Sequence, residues 1–402
     1  MWFVAYSVSL CAKPISPFNR ETNMKITHIQ GHAVSIPLAP AHCTATSAIA
    51  AASQIVVEVK TDEGITGLGT LHGRSAKLVL EILDALSDFL AGMDAIAHES
   101  VWNKVFGITT TRVGNPAWHA QRLLYNSANR SALLAAMGGI DIALWDIKGK
   151  FSNLPVWRML GGTRREIFAY VTGGYYEFGH EHAIADEVAS YVEQGFKGVK
   201  IKIGGYDIPT DVARVEAVRE AIGPSTLLML DANCAYDLEE ASAAIRAFEP
   251  FDIFWFEEPL HWYDSTRALG RLAQRTHIAL ASGESEMHSW ACRDLVDLGG
   301  IRYMEFDATR YGGVTEWLRV AAYSYANGVQ MAAHHDPHIH GHLISAVPNG
   351  YCVETFPNAE RDPLWNCLYT YRAQLRDGAL HLGDEPGFGF GIDWKAVERY
   401  RM

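Results

Sequence analysis

The sequence lacks the marks of a membrane protein, a disulfide scaffold or a nucleic-acid-binding protein. No apolar stretch approaches about 18 uncharged residues followed by a stop pattern, so no helical membrane span is expected. The six cysteines, at positions 11, 43, 234, 292, 352 and 367, include no CxxC pair and no metal-finger spacing. They read as scattered reduced thiols of a cytosolic (cytoplasmic) protein. Positive charge is scarce: 34 Lys and Arg against 46 Asp and Glu leave a formal charge of -12. That balance speaks against nucleic-acid binding, which wants a basic stripe. What remains is a chain of 402 residues, 49% hydrophobic, long enough for two domains or one large barrel with additions.

Residues 1–23 open with an apolar run through Ala12 but have no basic segment ahead of it, so an appended or upstream-start segment is a better reading than a secretory signal. Residues 25–36 and 54–60 alternate or run apolar with β-branched side chains, and Asp62-Glu63-Gly64 supplies a hairpin turn before 65–70. Helical spacing follows at 75–91, 98–106 and 128–150. Residues 24–164 are therefore predicted to form an α+β domain, with 37–53 as a loop.

From about residue 165 the pattern becomes strand, loop, helix, repeated. Apolar strand-like runs lie at 167–171, 198–203, 227–230, 253–256, 278–281, 303–306, 329–333 and 351–353. Helix-like stretches at 184–194, 210–222, 238–248 and 313–326 separate them, and 337–348 has room for one short helix. This alternation predicts an α/β fold, a TIM-type barrel over 165–355. The loop-rich tail, 356–402, is expected to pack outside the barrel against the first domain.

Six positions punctuate the ends of these runs: Lys200/Lys202, Asp231, Glu257, Glu284, Asp307 and His334. Counted from Lys202 the intervals are 29, 26, 27, 23 and 27 residues, about the length of a strand, its return helix and two loops. All six can then emerge at one end of the barrel. Asp231, Glu257 and Glu284, in MLDAN, WFEEP and ASGES, would converge as three carboxylates with no His or Cys, a donor set for a hard cation; Mg²⁺ fits best, one per site. Barrel-end ion pairing is the bland alternative.

Lys200 and Lys202 in GVKIKIG share one face of their strand. Two inward cations are expected to depress each other's pKa, tuning one toward a base, or else to form a structural pair bridging Asp231. Asp307 and His334 end neighbouring strands and can meet as a dyad, a second acid/base group facing Lys202 across a bound substrate. Glu354 closes the ring at strand eight. The run HHDPHIHGH, with His334, His335, His338, His340 and His342, invites a zinc reading, but its imidazoles point to different faces and no HExxH or third-strand partner accompanies them.

With KIK, LDAN, FEEP, SGES, FDATRYGG, the strand-seven His and the strand-eight Glu in order, the chain resembles the enolase superfamily and, within it, the mandelate racemase subgroup. The resemblance covers roughly residues 24–400 and selects His334 over His335 as the catalytic match. It implies an α+β capping domain on a modified (β/α)7β barrel, and Mg²⁺ held by Asp231, Glu257 and Glu284. The implied substrates are small-molecule carboxylates that lose an α-proton to give a metal-stabilised enediolate. In the matching roles Lys200 contacts the substrate carboxylate, Lys202 is one base and His334–Asp307 the other. Asn233 touches a substrate hydroxyl, and Glu354 hydrogen-bonds the carboxylate.

Dehydration of a sugar acid (an aldonate) to a 2-keto-3-deoxy acid, the work of a carbon-oxygen lyase, is the favoured expectation. Racemase, epimerase or lactonizing cycloisomerase activity is the alternative, and a carboxylate-binding barrel without turnover is the non-enzyme reading. Self-association as a homo-oligomer is expected. The loop 37–53 carries no charge, which favours a mono-acid over a diacid. Arg112, Trp118, His119 and Arg122, and the HHDP and TFPNAERDP stretches, are further candidate walls of the substrate site.

Overall fold

Three antiparallel strands open the described part of the chain, which in this computed structural model comprises residues 23–116, 125–176, 184–264 and 266–402. The strands β1 (Ile26–Cys43), β2 (Ala48–Thr61) and β3 (Thr66–His72) pair in sequence order. The stretch 37–53 is therefore mostly strand and not the expected loop; pairing continues out to Cys43 and Ala48. Pro37 and Pro40 lack the N–H a regular ladder uses, and the register shifts between Pro37 and His42 where pairing would otherwise end.

A long helix, Arg130–Ser152, lies across this sheet. Its close approach depends on Gly67 and Gly69, where an added Cβ would come within 2.1 Å of Ala143 O and 2.3 Å of Gly139 O. Ile55, Val57, Leu71, Leu133 and Leu144 form the dry layer between sheet and helices. Each such side chain contributes about 1.5–3 kcal/mol by leaving water.

Eight parallel strands then make a barrel: β4 (Glu166–Gly173), β5 (Gly198–Lys202), β6 (Leu227–Asp231), β7 (Ile253–Glu257), β8 (Ala279–Ser282), β9 (Tyr303–Met304), β10 (Gln330–Ala333) and β11 (Gly350–Thr355). Pairing of β11 with β4 closes it. This is the expected modified TIM barrel with an α+β cap. Its bore is plugged by Tyr170, Met229, Trp255, Ala281, Ala332 and Cys352, with the Tyr170 and Trp255 rings edge to face at 5.2 Å. Side chains above this plug emerge at the C-terminal ends of the strands.

Beyond the barrel, β12 (Tyr369–Tyr371) precedes a hairpin of β13 (Gln374–Arg376) and β14 (Ala379–His381), and β15 (Gly391–Ile392) pairs with β12. β14 runs antiparallel to the first residues of β4, Glu166–Phe168, while Ala169–Val171 pair with β11. The last residues reach the cap: Ser35 N–H donates to Tyr400 O at 2.9 Å, and Met402 N–H to Ala33 O at 3.0 Å. No helix among the described residues is long and apolar enough to cross a membrane.

Candidate active site

The period of a strand sends Lys200 and Lys202 into the barrel from the same face of β5, and both are buried. Lys200 Nζ donates to Glu257 Oε1 and Oε2 at 2.6 and 2.8 Å and lies 3.0 Å from Glu354 Oε1. Lys202 Nζ donates to Asp231 Oδ2 at 2.5 Å. Burial works against both ammonium charges, but Glu257 and Glu354 around Lys200, and Asp231 beside Lys202, outweigh it, so both amines are held above the ordinary lysine range. The mutual depression expected of two adjacent lysines is thereby overturned: each ammonium touches a carboxylate, and contact dominates over the like charge next door.

The three carboxylates occupy consecutive strand ends. Asp231 and Glu257 are register partners across β6 and β7, and Glu284 follows β8 after Gly283. Gly283 has φ 124°, and a Cβ there would meet Met304 Sδ at 2.7 Å, so the chain reaches Glu284 through a turn only glycine makes comfortably. Asn233 is itself left-handed (φ 44°); its backbone N–H donates to Asp231 Oδ1 at 2.8 Å, and its Oδ1 is buried without a hydrogen-bond partner. Glu284 accepts from Arg310 Nη1 at 2.8 Å and lies 3.2 Å from His334 Nε2. Although burial opposes it, His334 and Arg310 hold the Glu284 carboxyl down at about 2.

On the opposite wall Asp307 Oδ2 lies 2.8 Å from His334 Nδ1. Asp307 Oδ1 accepts from the backbone N–H of Thr309 at 2.7 Å, and Thr309 Oγ1 lies 2.7 Å from both Asp307 Oδ1 and Asp336 Oδ2. A hydroxyl has one proton, so it donates to one carboxylate at a time. Glu354 accepts from Thr172 Oγ1 at 2.5 Å and from the His335 backbone N–H at 3.0 Å.

Lys202, Asn233, Glu284, His334 and Glu354 from the barrel, with residues from Thr44 to Arg74 of the cap, line one cavity of about 510 Å³, whereas Lys200, Asp231, Glu257 and Asp307 are buried and are not among its lining. The HHDP and TFPNAERDP stretches contribute His335, Asp336, Phe356, Arg361 and Asp362. Residues 44–54 add no charge, as their sequence says, but Arg74 and Arg361 bring two guanidiniums to the walls. The neutral loop therefore sets no preference between a mono-acid and a diacid, because the cavity's positive charge comes from elsewhere. Arg112 lines a separate surface depression with Gly107 and Pro116. Trp118, His119 and Arg122 lie outside the described residues.

His72, at the end of β3, escaped the sequence reading. Its ring stacks on that of His334 at 5.6 Å, and its Nε2 lies 3.1 Å from Asp307 Oδ2, off the line a hydrogen bond needs. Arg310, which pairs with Glu284, was also missed, although it lies three residues beyond Asp307 in FDATRYGG.

The site suits a divalent cation by charge and donor type. Asp231, Glu257, Glu284 and Glu354 are buried together against Lys200, Lys202 and Arg310. Burial, and then Asp231, push the Glu257 carboxyl up to about 7. An added positive charge would relieve that crowding, and the donors are all hard oxygens. With lysine ammoniums between them, the three carboxylates are not drawn into one tight donor group; among the described residues such groups form at His72, Asp307 and His334 and at His72, His335 and Asp336.

Comparison with known proteins agrees with this architecture. Residues 26–161 match the mandelate racemase / muconate lactonizing enzyme N-terminal domain, and residues 183–396 the enolase C-terminal domain-like family. Arabinonate dehydratase of Saccharolobus solfataricus is 28% identical over 354 residues, 86% of this chain and 90% of that protein. The 3,6-anhydro-alpha-L-galactonate cycloisomerase of Streptomyces coelicolor is 29% identical over 354 residues, again 86% and 90%. The crystal structure of a mandelate racemase/muconate lactonizing enzyme from a marine actinobacterium, in complex with magnesium, superposes with a TM-score of 0.81 at 32% identity, covering 94% of this chain and 99% of that one. A cap and a barrel that each match their own half of one family, joined in the same order, place the chain in the mandelate racemase / muconate lactonizing enzyme family of the enolase superfamily.

Proposed function

We propose that the chain removes the proton next to the carboxylate of a small acid in a Mg²⁺-dependent reaction, and that the overall reaction is dehydration of a sugar acid to a 2-keto-3-deoxy acid. The observation that supports this reading is that Lys202 and His334, the latter held by Asp307, line one cavity together with the Glu284 and Glu354 carboxylates.

In this reading Asp231, Glu257 and Glu284 would hold the Mg²⁺. When bound, it supplies positive charge against the second negative charge that develops as the proton leaves. Lys200 meets the substrate carboxylate from the barrel floor, and Glu354 and Asn233 orient the carboxylate and a hydroxyl. Lys202 takes the α-proton. Asp231 holds Lys202 as an ammonium in the described geometry, so the free amine requires that the Asp231 charge be met by a cation other than lysine. Asp307 keeps a proton on His334 Nδ1, leaving Nε2 to deliver a proton to the departing β-hydroxyl.

Return of the proton to the opposite face of the α-carbon would instead give racemisation or epimerisation, and the similarity to a cycloisomerase supports ring opening or closure as a second reading. We also read the protein as a cytoplasmic homo-oligomer. The exposed side chains of Trp262 and Tyr263, 78% and 72% accessible, support self-association, and the free described cysteines suit a reducing compartment.

The test is a library of sugar acids incubated with protein and Mg²⁺ in D₂O, read for keto-acid formation and for deuterium at the α-carbon. Keto acid from one or more members is expected. Deuterium incorporation without keto acid moves the assignment to racemase or epimerase, and neither product across the library removes the proton-abstraction reading.

A further inference from the structure

The histidine run after β10 is largely accounted for by packing. His338 Nε2 lies 3.2 Å from both Thr70 Oγ1 and Tyr369 Oη. His340 Nδ1 donates to His335 O at 2.8 Å, while its Nε2 accepts from the Ala308 N–H at 3.1 Å. His342 Nδ1 accepts from the Trp157 N–H at 3.2 Å. His334 belongs to the dyad. His335 Nδ1 and His338 Nδ1 are both buried without a hydrogen-bond partner, but only His335 of the two lines the cavity; across the seam His72 Nε2 on the cap also makes no hydrogen bond, although it lies 3.1 Å from Asp307 Oδ2.

Asp336 Oδ2 stands near both. It lies 3.7 Å from His72 Nε2 and 3.6 Å from His335 Nδ1, too far for hydrogen bonds, and the two rings are 4.6 Å apart between centroids. Ligand atoms on a tetrahedral zinc, at about 2.0–2.1 Å from the metal, are roughly 3.3 Å from each other. The two Asp336 distances need to close by only a few tenths of an ångström to reach that spacing, and one ligand atom from each of the three residues lies within 4.8 Å of the other two. His335 and Asp336 hold consecutive left-handed conformations (φ 51° and 38°) that turn them into the cavity, an arrangement kept against local strain.

We propose that His72, His335 and Asp336 form a zinc-binding site in the seam between cap and barrel, separate from the Asp231–Glu257–Glu284 set, whose occupation blocks the cavity beside His334. Two imidazoles and one carboxylate favour zinc over magnesium, and three protein ligands leave a position open toward the cavity. Outer groups that orient the carboxylate are in place: Gln54 Nε2 donates to Asp336 Oδ1 at 2.9 Å and Thr309 Oγ1 contacts Asp336 Oδ2, while the backbone N–H of His72 donates to Thr309 O at 3.2 Å and ties the end of β3 to the barrel. The site is assembled by tertiary contact, with one ligand on β3 and two after β10. Because all three ligands line the cavity, a zinc ion among them would fix the cap on the barrel and narrow the substrate's space.

The experiment is calorimetric titration of the full chain with zinc chloride at saturating Mg²⁺, alongside His72→Asn and His335→Asn. One zinc ion is expected, with affinity reduced about tenfold or more in each variant. Cobalt(II) in place of zinc is expected to show the intense visible absorption of a four-coordinate site, lost in the same variants. If one variant does not fold, the other decides. Zinc bound equally well by the variants, or the weak spectrum of six-coordinate cobalt, overturns the proposal and assigns the metal to the carboxylates. Neither readout needs a substrate, so failure here is distinct from failure of the proposed reaction.

Discussion

The 2.8 Å contact between Asp307 Oδ2 and His334 Nδ1 puts a proton on the inner nitrogen of the ring and turns Nε2 toward Glu284 and the cavity. Replacing the carboxylate with an amide removes the negative charge and, with the amide oxygen held by the Thr309 donors, turns an NH2 donor toward His334 Nδ1, which favours the other tautomer. Asp307→Asn is expected to lower kcat for keto-acid formation about 100-fold or more with a smaller change in KM. Steady-state kinetics on the substrate found by the library would check it, and an unchanged kcat would remove Asp307 from the dyad.

His334→Asn separates the two acid/base groups. Keto-acid formation is expected to stop, while Lys202-dependent exchange of the α-proton with D₂O persists. Proton NMR of the recovered substrate distinguishes the two, and full turnover in this variant would sink the assignment of His334 as the acid.

Glu257→Gln removes one negative charge from the crowded floor and leaves Lys200 with a neutral partner in place of a carboxylate. Mg²⁺ affinity, measured by calorimetry, should fall by about tenfold or more. Unaltered affinity would take Glu257 out of the metal-binding set.

His338 and His342 are fully buried, and burial pushes them down to about 4 and about 3. In the unfolded chain histidine titrates near 6.5, so between those values the unfolded state binds more protons. Their contribution to stability is complete above about pH 6.5 and is lost as the pH falls toward 4 and 3. At about 1.4 kcal/mol per pH unit, each would contribute on the order of 2 kcal/mol less at pH 5 than at pH 7.5. Urea midpoints at the two pH values provide the measurement, and a midpoint that does not move with pH would contradict their neutral burial.

The barrel was legible because the strands from β5 to β11 are short apolar runs with a charged or histidine residue at or just beyond their ends, whereas β4, ending in Thr172-Gly173, has none. The chemical types of Asp231, Glu257 and Glu284 suggest oxygen ligation, and their positions at consecutive strand ends follow from the spacing, but the lysine contacts that hold Asp231 and Glu257 do not. Contacts made by unrelated segments were not legible. His72 lies in TLHGRS with nothing local to tie it to Asp307; its arrival depends on β3 docking against the loop after β9. For Lys202 the spacing left two outcomes open, a depressed amine or a pair bridging Asp231, and the direct contact with Asp231 is the one observed. The strand character of 37–53 was hidden by its prolines, which a register shift accommodates.

The divided pairing of β4 bears on the order in which the molecule assembles. Its first residues are bonded to β14 and its next to β11, and both arrive late in the chain. The first barrel strand therefore cannot be completed from its own neighbourhood, and closing it carries the entropy of a very long loop. During synthesis one edge of Glu166–Val171 stays unpaired until Gly350–Thr355 and Ala379–His381 have been made, so barrel closure belongs to the end of folding.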